Sequence, residues 1–340
     1  MSTSGIRPGS ARRKEPDIET IVSGILGGDR QMLSRAITLI ESQKPEHQQK
    51  AHEILDRCME KKTEAIRIGI TGSPGAGKST LIEALGEIII RNGLTLAVLA
   101  IDPSSRQTRG SILGDKARME KLSGKKEAFI RPTASSGHLG GISPRTHEAI
   151  VLCEAAGYDV IIVETVGVGQ SEVQVETMVD FILLLMLPGS GDELQGIKRG
   201  IMEIADAIAI TKTDGAQEGI ASLSRTDFDA ALRMLPAKYP FWKRRVFLTS
   251  ALSGRGIEDV WQNITEFFRL IRTNGLLVEK RRDQLRHLLY GILEEMLKKE
   301  FFAHPEILKL RDDVERQVVS SELSPFSGAG ILMDTFTRRR

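Results

Sequence analysis

Residues Gly72 to Ser79 read Gly-Ser-Pro-Gly-Ala-Gly-Lys-Ser, a spacing suited to holding a chain of phosphates. Glycines let successive backbone N–H groups turn inward around a β-phosphate, and a helix starting behind them adds the positive end of its dipole. Gly75, Ala76 and Gly77 form the cradle, Lys78 brings a mobile cation to the β- and γ-phosphates, the Ser79 hydroxyl is suited to Mg²⁺, and Thr80 opens the helix.

Three acids suit the same metal. Glu164 ends the apolar run Val160 to Val163 and is followed closely by Gly167, whose N–H can sense a γ-phosphate. Asp102 follows Leu99-Ala100-Ile101, and Asp115 lies in Gly110-Ser111-Ile112-Leu113-Gly114-Asp115-Lys116. Mg²⁺ prefers oxygen ligands and retains waters, and an acid near the γ-phosphate can also orient the attacking water, a role for which Asp102 is favoured. Gly167 is followed by Val168, not by a water-orienting glutamine, so unaided hydrolysis should be slow.

Base choice falls to Thr211-Lys212-Thr213-Asp214 and to Ser250-Ala251-Leu252. Asp214 can accept from both the ring N1–H and the exocyclic amine of guanine, donors that adenine lacks, while Lys212 lies along the base. Thr211 stands where this motif usually has Asn and has only a hydroxyl with which to tether the loop. The expected ligands are GTP or GDP with Mg²⁺.

Such residues need elements to hold them. Short β-rich runs (66–70, 96–101, 128–131, 160–163, 181–187, 207–210 and 246–248) alternate with amphipathic stretches. That pattern specifies an α/β fold with a mainly parallel sheet, whose functional loops gather at the strands' carboxyl ends. Residues 1–15 read as a disordered leader, 16–62 as a small helical appendage, 63–272 as the nucleotide domain and 273–340 as helices whose apolar stripe includes Leu285, Leu289, Leu293 and Met296.

Lys and Arg total 47 against 45 acids, a balance of +2, which gives no electrostatic case for nucleic acid or a membrane as partner. The runs Lys243-Arg244-Arg245, Lys280-Arg281-Arg282 and Arg338-Arg339-Arg340 read as solvated faces. Phe181 to Leu187 is too short to span a bilayer. Cys58 and Cys153 form no C-x-x-C pair and read as core thiols of a reducing compartment, and the six histidines lack zinc spacing. The expected location is cytoplasmic, or the mitochondrial matrix in a eukaryote.

With these motifs in view the chain resembles the MeaB/ArgK-type GTPases, chaperones of methylmalonyl-CoA mutase and related cobalamin-dependent mutases. The similarity covers nearly everything after the leader. It rests on Gly72 to Ser79, Asp102-Pro103-Ser104-Ser105, Gly110 to Lys116, Glu164-Thr165-Val166-Gly167-Val168-Gly169-Gln170-Ser171-Glu172, and Gly191-Asp192-Glu193-Leu194-Gln195-Gly196-Ile197-Lys198. The resemblance implies a P-loop NTPase of the SIMIBI type with a C-terminal helical dimerisation arm. It implies a homodimer that binds an acyl-CoA mutase and uses GTP to gate adenosylcobalamin loading, protection and reactivation. It also implies that Asp102, Asp115 and Glu164 match the Mg²⁺ and switch positions. Gln195 and Lys198 match a third switch, in which Lys198 becomes catalytic when the mutase orders the loop. Arg106-Gln107-Thr108-Arg109-Gly110 departs from the family's usual Thr-Arg-Thr-Gly-Gly, so no arginine role is carried over there.

Rival readings are a metal-delivery GTPase, which should carry Cys/His clusters, and a P-loop kinase, which would have little use for Asp214. A scaffold with a vestigial site would have no need of Lys78, Ser79 and three metal-facing acids.

Overall fold

The computed structural model describes residues 16–61, 64–102, 119–134, 144–165, 171–190 and 199–337. The leader lies outside them, as do Asp115, Gly167, Gln195 and Lys198. The chain forms two compact units, one ending at Lys280 and the other beginning at Arg281.

The first unit is built on seven strands: β1 (Ile66–Gly72), β2 (Leu96–Asp102), β3 (Ala128–Ala134), β4 (Val160–Glu164), β5 (Phe181–Met186), β6 (Ala207–Ile210) and β7 (Val246–Leu248). They lie in the order β3-β2-β4-β1-β5-β6-β7, and every neighbouring pair is parallel. All seven coincide with the apolar runs expected from the sequence, which is what a parallel sheet covered on both faces should look like; every residue of β5 is buried. β3 runs on through Pro132, which an edge strand tolerates because a missing N–H there breaks no ladder bond.

Side-chain alternation sorts the core. Ile68, Ile70, Ile162, Leu183 and Leu185 pack with the helices Lys78–Arg91 and Ile257–Thr273. Leu99, Ile161 and Val163 pack with the helix Pro144–Ala155 and with three N-terminal helices, Ile18–Leu26, Arg30–Glu41 and Pro45–Met59. These N-terminal helices are therefore a layer of the core, not an appendage: Ile25, Leu33 and Ile37 are fully buried. Asp17 and Asp29 cap the first two, the Asp29 carboxylate accepting from Gln31 N at 2.7 Å. Cys58 and Cys153 are buried free thiols in this layer.

At the amino-terminal side of the sheet, Arg67 on β1 donates twice to Glu154, at 2.7 and 2.8 Å, in a buried bidentate pair. His147 is buried too, and burial, aided by the Arg67 charge, pulls its pKa down to about 4. It is thus neutral in the fold, whereas the unfolded chain takes up its proton near pH 6.5. Stability present above that pH is lost as the pH falls through 4, to a total of about 3 kcal/mol for this one group. Urea unfolding at pH 7 and at pH 4.5 should show a smaller drop in His147→Gln than in the wild type.

Lys238 Nζ lies 2.9 Å from Glu176 Oε1 and 3.5 Å from the fully buried Asp206, and donates to Ile204 O at 2.9 Å. One ammonium thus holds the last residues of two short helices, Ser171–Glu176 and Arg199–Ile204.

In the second unit, the helices Pro305–Val319 and Pro325–Thr337 pack together where Gly328 leaves room for Val314 and Val318. The helix Leu276–Ala303 presents exposed Leu285, Leu289, Leu293, Met296 and Leu297. Among the described residues no helix is long and apolar enough to cross a membrane.

Candidate functional site

In a parallel sheet all strands deliver their carboxyl ends to one edge. Here that edge collects Gly72, Asp102, Glu164, Met186, Ile210 and Leu248, with β1 central between β4 and β5.

Gly72 leaves β1 at φ 152°, and a Cβ there would come within 2.5 Å of the Leu185 carbonyl oxygen, so only glycine can turn out of the sheet against β5. Gly77, at φ 82°, starts the helix Lys78–Arg91 from the left-handed region, so that the positive end of the helix dipole adjoins the loop. Lys78 folds back over the loop, donating to Gly72 O at 2.9 Å and Ser73 O at 3.3 Å. Ala76 is buried, while Gly75 and Thr80 are exposed.

The Ser79 hydroxyl donates to Glu164 Oε1 at 3.0 Å. The β2–β4 register sets Ala100 beside Glu164, so Asp102 follows two residues further along the same edge. Thr165 fixes the exit from β4, its hydroxyl bonded to that of Thr71 at 2.9 Å and its N–H to Ile70 O at 3.1 Å, both within the buried edge. Ser79 and Glu164 are thus in direct contact as hard oxygen donors beside the phosphate loop, a donor set that fits Mg²⁺.

The base loop is tied to the phosphate loop. The buried Thr211 hydroxyl donates to Ala76 O at 2.7 Å, so the short side chain that replaces Asn makes the tether after all. Lys212 follows at φ 56°, and its Cε lies 3.9 Å from where a Gly77 Cβ would stand, which puts its stem over the phosphate loop. Asp214 is held at both oxygens: Oδ2 accepts from Ser250 Oγ at 2.7 Å and Oδ1 from Ser253 Oγ at 3.2 Å. Ser250 is fully buried, whereas Leu252 in the same turn is 88% exposed.

Sequence reasoning missed Ser253 and the Thr71–Thr165 pair. A serine three positions after Ser250 was the available signal for the first; nothing local announced the second.

Loss of the Thr211 tether should be measurable. Thr211→Val leaves Ala76 O without this donor, at a cost of about 1–3 kcal/mol. Calorimetric titration with GDP should show the Kd raised about tenfold, and Thr211→Ser should restore most of it.

The family model described as methylmalonyl Co-A mutase-associated GTPase MeaB matches residues 33–306. The GTPase ArgK of Escherichia coli strain K12 is 46% identical over 301 residues, 88% of this chain and 91% of that protein. The mitochondrial methylmalonic aciduria type A homolog of Mus musculus is 41% identical over 341 residues, 97% of this chain and 82% of that protein. A crystal structure described as LAO/AO transport system kinase superposes with a TM-score of 0.76 at 38% identity, covering 94% of this chain and 97% of that one.

Proposed function

The chain belongs to the family of the methylmalonyl-CoA mutase-associated GTPase MeaB, and on that premise we propose that it is a GTP-driven chaperone of a cobalamin-dependent acyl-CoA mutase, gating adenosylcobalamin loading, protection and reactivation. The reaction is hydrolysis of GTP to GDP and phosphate. What carries the reading at the site is the meeting, at one sheet edge, of a phosphate loop, the Ser79–Glu164 pair and a doubly held Asp214.

The N–H groups from Gly75 to Thr80 would cradle the β-phosphate, and Lys78 would exchange its loop carbonyls for phosphate oxygens. Ser79 and Glu164, with Asp102 and Asp115, would hold Mg²⁺. Bound there, Mg²⁺ would neutralise charge on the β- and γ-phosphate oxygens. Asp102 would orient the attacking water, and the Gly167 N–H would sense the γ-phosphate. Asp214, Lys212, Ser250, Ala251 and Leu252 would surround guanine. A carboxylate so prepared favours a guanine nucleotide over an adenine one.

Gln195 and Lys198 would act conditionally, Lys198 supplying charge to the leaving phosphates once the mutase orders its segment. A homodimer is part of the proposal, supported by the exposed stripe from Leu285 to Leu297. A cytoplasmic location goes with it, or the mitochondrial matrix in a eukaryote, the mouse relative being described as mitochondrial.

GTP turnover, measured alone and then with a purified methylmalonyl-CoA or isobutyryl-CoA mutase, should rise at least about tenfold with the client, and Lys198→Ala should remove most of that rise. If neither mutase changes the rate, the chaperone reading fails.

A further inference from the structure

The helix Arg30–Glu41 has two faces. Leu33, Ala36, Ile37 and Ile40 are buried in the core, while Arg30, Gln31, Ser34 and Arg35, at complementary helical spacing, face away from it. Between this outer face and the edge strand β3 lies a pocket of about 620 Å³. Ser123, which ends the short helix Glu120–Ser123, completes its wall together with Phe129, Arg131 and Pro132 of β3. The strands β2 and β4 separate β3 from β1 and its phosphate loop, a distance of about 14 Å at the usual strand spacing.

The charge of this lining is one-sided. Among the described residues, three guanidinium groups line the pocket and no carboxylate does, in a chain whose charges nearly balance. The acids at the two ends of the helix are engaged: Asp29 accepts from Gln31 N and Met32 N, and Glu41 holds Arg131 at 2.7 Å. Arg131 is thereby neutralised and fixed, with Ser34 Oγ at 3.3 Å and Thr38 Oγ1 at 3.2 Å as further acceptors. Its Nε–H is buried and has no acceptor among the described residues, a donor left over beside the pocket. Arg30 donates to a carbonyl, Lys125 O at 3.3 Å, and keeps its charge. Arg35 is exposed, and among the described residues its side chain has no ion pair or hydrogen bond. The larger groove beside β7, about 1190 Å³, mixes Asp229, Asp259 and Glu266 among its cations and has no such preference.

A guanidinium presents its N–H groups as a planar fork that matches two oxygens of one phosphate, and the pocket's volume is that of a small-molecule site. We propose that this pocket binds a small organic phosphate. Arg30 and Arg35 would take the phosphoryl oxygens, and the Ser34 hydroxyl and Gln31 carboxamide would add neutral donors. The apolar part of the ligand would lie on Phe129 and Pro132, with Arg131 as a fixed wall. The site is separate from the nucleotide edge and stands whether or not a mutase is the client.

Phenyl phosphate is the probe, titrated calorimetrically into the full chain with GDP and Mg²⁺ in excess to occupy the nucleotide edge, and phenol is the control. Phenyl phosphate should bind, more weakly as salt rises, and at least about tenfold more tightly than phenol. Arg30→Glu/Arg35→Glu should weaken that binding at least about tenfold, with GTP turnover and Tm unchanged. Arg35→Ala, a truncation at an exposed position, should weaken it at least about threefold. Absence of binding, binding no tighter than that of phenol, or full binding by the double variant would overturn the proposal. A phosphoserine heptapeptide bound more tightly than phenyl phosphate would overturn the small-molecule assignment. Should the double variant lose GTP turnover and so prove misfolded, full binding by Arg35→Ala would overturn the proposal by itself.

Discussion

Lys78→Ala lowers kcat/KM for GTP by about a thousandfold, the scale expected when a preorganised charge on the transferring phosphoryl group is removed. The side chain is already aimed at the cradle: its ammonium sits on the carbonyls of Gly72 and Ser73, at 2.9 and 3.3 Å, waiting for better acceptors. Those carbonyls belong to a half-open loop and can turn to water when the ammonium is gone, so the variant should unfold within a few degrees of the wild type. Single-turnover GTP hydrolysis beside a thermal melt separates the two effects. A variant that turns over GTP within tenfold of the wild type would show that the cation acts only in folding the loop.

The other large effect falls on base choice. Asp214→Asn presents an N–H₂ donor to one of guanine's two donors, N1–H or the exocyclic amine, leaving a donor facing a donor in a site that Ser250 and Ser253 hold rigid. The expected loss in GDP affinity is about two to three orders of magnitude. Xanthine has a carbonyl where guanine has its amine, so XDP should gain affinity in the variant while GDP loses it. Competition between the two nucleotides reads this exchange directly, and an unchanged ranking in Asp214→Asn would remove that carboxylate from base recognition.

The strands and the phosphate loop could be read from the chain because each is a local pattern: a buried parallel strand is an apolar run, and Gly72 to Ser79 is contiguous. What escaped depends on meetings across the fold. Thr211 and Ala76 are 135 residues apart, and Thr71 and Thr165 are 94 apart; a hydroxyl carries no mark of the distant oxygen it will find. The N-terminal helices betrayed their apolar stripes but not what they cover, because the stripes' partners are the helix Pro144–Ala155 and the strand β3, more than sixty residues further along the chain. The oxygens of Asp214 illustrate both cases: the carboxylate stood out by its place after β6, and its two serine clamps did not.

Lys238 has a mechanical meaning. The two helices it pins each descend from the carboxyl edge of the sheet, one from β4 and the other from β5, and it grips them at their lower ends. Lys238 is itself held in place by Asp206, 3.5 Å away, whose side chain is fully shielded from water. Both helices are thereby moored at the base, which leaves the ends that follow β4 and β5 as the less restrained ones.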